Sequence, residues 1–170
     1  LLKKQNYKYF EGSEKNVLKR FYLCAKKFRG SNIIRITSDC PLADPKIIDK
    51  FIEIFKKKNV DYLSNGNPPT YPDGFDVEIF SFKALKESFL KSKNLHQKEH
   101  VTPYIKKNVS FSKFNVMNKE DLSNLRLTID YVNDLIVVQK ILNLTKKKYD
   151  SSYNDIVRVI KNNNKIMKLN

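Results

Sequence analysis

The chain has 170 residues, of which 41% are hydrophobic, including 11 Phe and 9 Tyr. This composition is sufficient for one folded domain with a sizeable core, and it argues against a disordered segment. The formal net charge is +15, but only five of the 33 basic residues are Arg. Because nucleic-acid surfaces favour the planar fork of Arg, the composition favours a solvated basic surface over a nucleic-acid interface.

The composition also bears on compartment and membrane association. No run approaches the roughly 18 apolar residues that a membrane-spanning helix needs. The only cysteines, Cys24 and Cys40, do not form a disulfide framework, so we expect a cytoplasmic protein. The chain opens on Leu1, shows no amino-terminal signal and begins as if inside a domain, which predicts a chain cut from a longer one.

The first third of the chain alternates predicted strands and helices. In chain order, the pattern predicts a strand over 8–10, a helix over 14–27, an apolar buried strand over 32–37, a helix that starts at Pro45 after Asp44 as N-cap, and a strand over 60–64. Strand, helix and strand at this spacing are typical of a parallel α/β sheet.

The rest of the chain departs from simple alternation. The pattern predicts a loop over 65–74, a half-exposed strand over 76–81, a helix over 82–91, a helical stretch over 96–107, a strand over 109–117, a buried strand over 125–129, helices over 131–144 and 151–161, and a polar tail over 162–170. We therefore predict an α/β domain over 1–150, with a β-rich, substrate-side excursion over about 65–117, and a terminal helix and tail over 151–170.

Two acidic residues follow predicted strands and are candidates for a metal site. Asp39 comes after the strand over 32–37, and Asp130 after the strand over 125–129. Ligands bind outside the carboxyl ends of strands in open α/β sheets, and two converging carboxylates suit Mg²⁺ on a triphosphate. Each residue has a structural alternative, because Asp39 could bond its own turn and Asp130 could cap the next helix.

Five segments also carry a family resemblance. They are EGSEKNVLKR at 11–20, RITSDCPLADP at 35–45, TYPDGFDVE at 70–78, EHVTPY at 99–104 and LTIDYVNDL at 127–135. In order and spacing they resemble the sugar cytidylyltransferases typified by the spore coat polysaccharide biosynthesis protein F family, relatives of CMP-Kdo synthetase and acylneuraminate cytidylyltransferase. The resemblance implies a three-layer nucleotide-diphospho-sugar transferase (Rossmann-like) fold with a mixed, mostly parallel sheet.

The resemblance implies a reaction and a cofactor as well. The reaction is transfer of CMP from CTP to a sugar or sugar acid, with release of pyrophosphate, in surface polysaccharide or glycan biosynthesis. The cofactor is Mg²⁺, held by Asp39 with Asp130 as the second ligand, and both residues would serve catalysis.

Further residues match the family's substrate-binding segments, and each has a plain structural alternative. They are Gly12, Ser13, Arg20, Arg35, Asp73, Gly74, Asp76, Glu78 and His100. A Gly-Ser turn that caps a helix with Ser13 as N-cap explains the first segment equally well. Polar alternation on a half-exposed strand explains the acids at 73–78, and Arg35 and His100 could be ordinary surface residues.

One departure from the family pattern is large. Members of the family open with a strand, a Gly- and Arg-rich phosphate loop, a helix and a second strand, and nothing like this unit precedes Leu1. We therefore expect an amino-terminally truncated fold that does not catalyse nucleotidyl transfer alone. We also expect it to leave an edge strand and apolar helix faces uncovered.

Two other functions stay open at this stage. A glycosyltransferase of related fold would use a nucleotide-sugar donor and would also keep acids at a strand end, but it would release no pyrophosphate. A basic, non-enzymatic nucleic-acid-binding module would lose affinity steeply with salt. A homodimer is compatible with the sequence.

Overall fold

A computed structural model describes residues 5–145 and 150–169. The strands in this part of the chain are β1 (Asn32–Arg35), β2 (Tyr62–Ser64), β3 (Glu78–Ser81) and β4 (Lys113–Asn115). The helices are α1 (Val17–Lys27), α2 (Pro45–Lys58), α3 (Phe82–Lys91), α4 (Leu95–His100), α5 (Pro103–Lys107), α6 (Val132–Leu144) and α7 (Tyr153–Asn162), followed by a 3-10 helix at Asn164–Leu169.

The four strands form one mixed sheet in the order β1-β3-β2-β4. β3 runs antiparallel to β1, because the N–H of Phe82 donates to Ser31 near the start of β1 while Arg35 at its end reaches Glu78. The predicted α/β class with a mixed sheet is therefore confirmed. The strand–helix–strand unit that joins β1 to β2 does not make them neighbours, since β3 lies between them.

Two compact units make up the chain, and each has its own core. The first unit comprises Leu1–Ile33, Val60–Tyr62 and Phe80–Lys113. Helices α1, α3, α4 and α5 surround its apolar cluster, which includes Leu18 of α1, Leu85 of α3 and Ile105 of α5, each at most 1% exposed. Tyr22 stacks on Phe89, with ring centroids 4.4 Å apart.

The second unit comprises Ile34–Asn59, Leu63–Ile79 and Phe114–Asn170. Aromatic rings join its elements: Phe51 of α2 meets Tyr71 edge-on at 5.7 Å, and Tyr153 of α7 lies 5.1 Å from Phe75. Asp44 links two helix starts in this unit, because its carboxylate accepts the N–H of Lys46 in α2 and the N–H of Tyr153 in α7. The predicted start of α2 at Asp44 and Pro45 is confirmed.

Several predicted elements differ from the observed ones near the beginning of the chain. Residues 8–10 form no strand. Helix α1 begins at Val17, and its N-cap is Asn16, whose side chain accepts the N–H of Lys19, whereas the hydroxyl of Ser13 accepts the N–H of Asn16. The prediction of a strand buried on both faces at 32–37 is wrong, because β1 lies at the sheet edge with Ile34 40% exposed.

Later in the chain, tertiary position overrides local pattern. The strand predicted as half-exposed at 76–81 is β3, whose first three residues are buried because it lies between β1 and β2. The stretch 96–107 is two short helices that break at Val101, which has a left-handed φ of 69°. Leu127 is buried, but residues 125–129 form only one isolated β-bridge, between Arg126 and Asp73. The predicted strand is therefore absent.

Exposed apolar side chains occur on the helices as well as on the edge strand. Val132 and Leu135 on α6 are 75% and 41% exposed. In the described part of the chain, no helix combines the length and the apolar character needed to cross a bilayer.

The division of the chain into a domain over 1–150 and a terminal helix and tail over 151–170 stays a prediction.

A matched pair of leucines tests the core of the first unit. Leu85→Ala removes a side chain with no exposed surface and should lower the free energy of unfolding by about 2–5 kcal/mol, because it leaves a cavity. Leu95→Ala changes a side chain that is 80% exposed and should change the unfolding free energy by less than about 0.5 kcal/mol. Urea unfolding followed by circular dichroism measures both, and equal effects would contradict the assigned core.

Candidate functional site

Three segments of the second unit meet through their backbones. The N–H of Ile129 donates to the carbonyl of Asp39 at 2.9 Å. The carbonyl of Leu125 accepts the N–H of Asp73, and the N–H of Leu127 donates back to the carbonyl of Asp73. Backbones paired in this way lie about 5 Å apart. The loop that carries Asp39, the loop that carries Asp73 and the segment before Asp130 are therefore held side by side.

Arg126 is the basic residue at the centre of this arrangement. Its guanidinium donates to Asp130 at 2.6 Å, to Asp134 at 3.1 Å and to Asp73 at 3.4 Å. The hydrogen bonds that Arg126 donates to Asp134 and then to Asp130 raise the pKa of Arg126 above its ordinary value, so the guanidinium stays charged. The Arg126 guanidinium thus binds carboxylates from two of the three segments.

Asp134 performs the capping role that the sequence suggested for Asp130. Its side chain is 2% exposed, and one carboxylate oxygen accepts the N–H groups of both Asp130 and Tyr131 at 3.0 Å. The N-cap of α6 is Tyr131 rather than Asp130, so the predicted cap is wrong. Because Asp134 satisfies the helix start, the Asp130 carboxylate is available to Arg126 and to a ligand.

The acids at 73–78 are positioned by buried polar contacts. The Asn65 side chain donates to the carbonyl of Phe75 and accepts the N–H of Val77, which fixes the backbone on both sides of Asp76. Desolvation is the main cause that raises the pKa of the Asp76 carboxyl, and the charges of Asp73 and Glu78 add to it. The hydrogen bond from the N–H of Gly74 acts in the opposite direction and lowers this pKa.

Arg35 and Glu78 neutralise each other. Their side chains meet at 2.8 Å, and Glu78 is almost wholly buried while Arg35 is 20% exposed. This placement brings Glu78 and Arg35 into the same unit as Asp39, Asp73 and Asp130, but as an ion pair between β1 and β3.

Cys40 lies beside the first candidate metal ligand. Its sulfur lies 3.1 Å from the hydroxyl of Thr37 and 3.7 Å from an Asp39 carboxylate oxygen. Burial is the main cause that raises the pKa of the Cys40 thiol to about 11, and the charges of Asp39 and Asp76 add to it. The thiol is therefore neutral at physiological pH. It donates a hydrogen bond to Asp39 and does not compete with that carboxylate for a cation.

The remaining predicted substrate residues belong to the first unit. Arg20 donates to the carbonyl of Ser13 at 3.2 Å, and the Gly12 backbone lies close enough to Arg20 that a Cβ would come within 3.0 Å of it. His100 is exposed, and its ring centroid lies 4.5 Å from that of His96. The structure thus groups Asp39, Asp73, Gly74, Asp76, Glu78, Arg35 and Asp130 in one unit, and Gly12, Ser13, Arg20 and His100 in the other.

Sequence reasoning missed Arg126, Asp134 and Asn65. Arg126, Asp130 and Asp134 stand four residues apart, and this spacing of opposite charges was a usable signal. Asn65 gave no such signal, because a loop Asn is common and only the fold shows that it braces Asp76.

The donor chemistry of the Asp39 and Asp130 pair suits Mg²⁺. Carboxylate oxygens are the ligands that Mg²⁺ prefers, and Mg²⁺ usually takes one or two of them with waters and substrate phosphates. Across residues 5–145 and 150–169, no group of three or more His, Cys, Asp or Glu side chains is arranged to hold a metal ion. The residues present therefore fit a cation that is completed by substrate, and not a closed protein cage.

Comparison with known proteins places the chain in a family. The cytidylyltransferase family model matches residues 5–168. The chain is 31% identical, with a TM-score of 0.93, to a cytidylyltransferase from Leptospira borgpetersenii, and the match covers 98% of this chain and 71% of that one. The chain belongs to the cytidylyltransferase family of nucleotidyltransferases, and the α/β fold implied by the resemblance is confirmed.

Two curated relatives extend this comparison. The uncharacterized protein MJ1063 of Methanocaldococcus jannaschii is 39% identical over 154 residues, which are 89% of this chain and 60% of that protein. The spore coat polysaccharide biosynthesis protein SpsF of Bacillus subtilis is 27% identical over 164 residues, which are 94% of this chain and 67% of that protein. The chain thus spans about two thirds of the length of these relatives.

A glycine pair tests the pairing of the loop at Asp73 with residues 125–127. Gly74 has a φ of +104°, and a Cβ there would lie 2.8 Å from the Leu127 carbonyl carbon. Gly74→Ala should therefore lower the free energy of unfolding by about 1–3 kcal/mol. Gly30→Ala, whose Cβ would have ordinary contacts beyond 3.7 Å, should be nearly neutral. Urea unfolding compares the two, and a neutral Gly74→Ala would contradict the close approach.

The raised pKa of Cys40 predicts a pH dependence of stability. The folded pKa of about 11 exceeds the ordinary thiol pKa of 9.0, so folding favours the neutral thiol. This stabilisation is fully present below pH 9 and is lost as the pH rises towards 11. Cys40→Ala should flatten the fall in unfolding free energy over this range, measured by urea unfolding at each pH. Cys24→Ala is the control, and the same flattening there would refute the assignment.

Proposed function

We propose that the full-length protein is a cytidylyltransferase that moves CMP from CTP to a sugar or sugar acid, with release of pyrophosphate, in surface polysaccharide or glycan biosynthesis. Family membership supports the nucleotidyl transfer, and the name of the Bacillus subtilis relative supports the polysaccharide role. The observation that supports the proposal most is the 2.9 Å hydrogen bond from the N–H of Ile129, the residue before Asp130, to the carbonyl of Asp39.

Asp39 and Asp130 are the residues that would hold Mg²⁺. When bound, the ion neutralises charge on the phosphates and aligns the attacking and leaving oxygens. Asp39 lies on a loop braced by the Ile129 hydrogen bond, and Asp130 lies at a helix start already capped by Asp134. These contacts fix the backbone at both residues before substrate arrives, which lowers the cost of ordering the site.

The proposed transfer of CMP needs no covalent enzyme intermediate. An oxygen of the sugar attacks the α-phosphorus of CTP, a new P–O bond forms, the bond to the β-phosphate oxygen breaks, and pyrophosphate leaves. The sugar hydroxyl loses its proton to solvent or a nearby base. We assign recognition of sugar hydroxyls to Asp73, Gly74, Asp76 and Glu78, and contacts with substrate to Gly12, Ser13, Arg20, Arg35 and His100.

Further parts of the proposal rest on the sequence. The compartment is the cytoplasm, which fits two free thiols in the chain. A homodimer is the proposed assembly. That this chain is inactive without an amino-terminal nucleotide-binding unit stays a prediction, so activity is to be measured on the full-length enzyme.

Replacement of either carboxylate tests the proposed reaction. Asp39→Asn and Asp130→Asn in the full-length enzyme should each lower the rate of pyrophosphate release by more than about 100-fold, because an amide is a poor Mg²⁺ ligand. Asp49→Asn, at an exposed position on α2, is the matched control and should keep full activity. The rate is measured with CTP, Mg²⁺ and a panel of sugars and sugar acids.

Two results would count against the proposal. Full activity in both variants would remove the metal assignment. Consumption of a nucleotide-sugar donor by the wild-type enzyme, without release of pyrophosphate from CTP, would favour the glycosyltransferase alternative.

A further inference from the structure

Arg126 is firmly anchored on one side. Its Nε and one terminal nitrogen donate to the two carboxylate oxygens of Asp134 at 3.3 and 3.1 Å. Asp134 is itself buried and holds the backbone N–H groups of Asp130 and Tyr131. A guanidinium bound through two nitrogens to a buried carboxylate has little freedom to turn. The direction of its remaining N–H groups is therefore set by the start of α6.

Arg126 also meets two exposed acids. The terminal nitrogen that donates to Asp134 donates to Oδ2 of Asp130 as well, at 2.6 Å, and the second terminal nitrogen donates to Oδ2 of Asp73 at 3.4 Å. Thr128 also donates to the same oxygen of Asp73 at 3.4 Å. Arg126 thus meets Asp130 through Oδ2, and we assign the cation to Oδ1 of the same carboxylate.

We propose that Arg126 is the positioning residue of the metal site: anchored by Asp134, it orients the Asp130 carboxylate towards the cation and ties the Asp73 loop to the same point. The inference rests on the proposed function, because it takes Asp39 and Asp130 as the metal ligands. It assigns Arg126 no contact with the reacting atoms.

Geometry rather than charge makes Arg suited to this role. Partners that orient metal ligands typically contribute 10- to 100-fold to metal affinity or activity. If Arg126 acted only as a positive charge, its removal would strengthen cation binding, because a neighbouring like charge would be gone. If it orients Asp130, its removal weakens binding. Lys keeps the charge but lacks the planar fork of N–H donors through which Arg126 binds three carboxylates. The sign of the effect therefore separates the two roles.

Manganese binding is the direct readout. We expect Arg126→Gln and Arg126→Lys to weaken the affinity of the full-length enzyme for Mn²⁺, measured by electron paramagnetic resonance, by about 10- to 100-fold. Arg158→Gln is the matched control, because Arg158 also pairs with the capping-box acid of a helix, Asp155 in α7. It removes the same kind of ion pair in the same unit and should leave Mn²⁺ affinity unchanged.

Two further measurements separate positioning from simple loss of structure. Near-ultraviolet circular dichroism should show the folded state of each Arg126 variant, and millimolar guanidinium should restore part of the Mn²⁺ affinity of Arg126→Ala. Loss of folding would not be reversed by a denaturing ion. In the full-length enzyme, the same variants should raise the Mg²⁺ concentration for half-maximal rate more than they lower the rate at saturating Mg²⁺.

The results that would overturn the inference differ from those that would overturn the proposed function. If Asp39→Asn and Asp130→Asn abolish Mn²⁺ binding but the folded Arg126→Gln binds Mn²⁺ as tightly as wild type or more tightly, the role of Arg126 is wrong and the metal site stands. If Mn²⁺ binding is the same in wild type, Asp39→Asn and Asp130→Asn, the metal site itself is wrong.

Discussion

The candidate site depends on one extended segment, residues 125–130, that is hydrogen-bonded to two loops. Asp73 exchanges backbone hydrogen bonds with Leu125 and Leu127, and Asp39 accepts from Ile129. Without these bonds, the carboxylates at Asp39, Asp73 and Asp130 would stand on separate flexible loops. The pairing also requires Gly74, because any side chain there would collide with the Leu127 carbonyl. The backbone pairing therefore sets the positions of these acids, and their charge interactions follow from those positions.

Charge balance at the site follows from that geometry. Bringing several carboxylates together is unfavourable unless cations or hydrogen-bond donors compensate. Arg126 compensates Asp130 and Asp134, Arg35 compensates Glu78, and backbone N–H groups compensate Asp134 and Asp76. Desolvation is the main cause that raises the pKa of Asp76, and the charges of Asp73 and Glu78 add to it. A divalent cation would add positive charge to this group of acids.

The sequence predicts this fold where local chemistry decides the outcome. Asp44 followed by Pro45 fixes the start of α2, and the helix over 82–91 begins and ends where its pattern predicts. It fails where tertiary context decides: three Ile residues in six positions predicted a buried strand, but β1 is an edge strand. The helix start near Asp130 looked capped by the nearest acid, yet the acid at the third helical position, Asp134, does the capping. Nothing local distinguishes these alternatives.

The candidate site was only partly predictable for the same reason. Strand-end position and the family segments pointed to Asp39, Asp130 and the acids at 73–78, which the structure places in one unit. The spacing of Arg126, Asp130 and Asp134 signalled that these residues could pair, but the contact of Arg126 with Asp73 could not be predicted, because the two residues are 53 positions apart. This contact becomes visible only when the backbone bridge between Asp73 and Arg126 is known.

In the proposed function, the carboxylates of Asp39 and Asp130 share one cation. Anomalous X-ray scattering from crystals of the full-length enzyme grown with Mn²⁺ and CTP locates that cation directly. We expect an anomalous peak at coordination distance, about 2.1 Å, from oxygens of both residues. A peak on CTP that touches neither carboxylate, or a peak elsewhere on the protein, would contradict it.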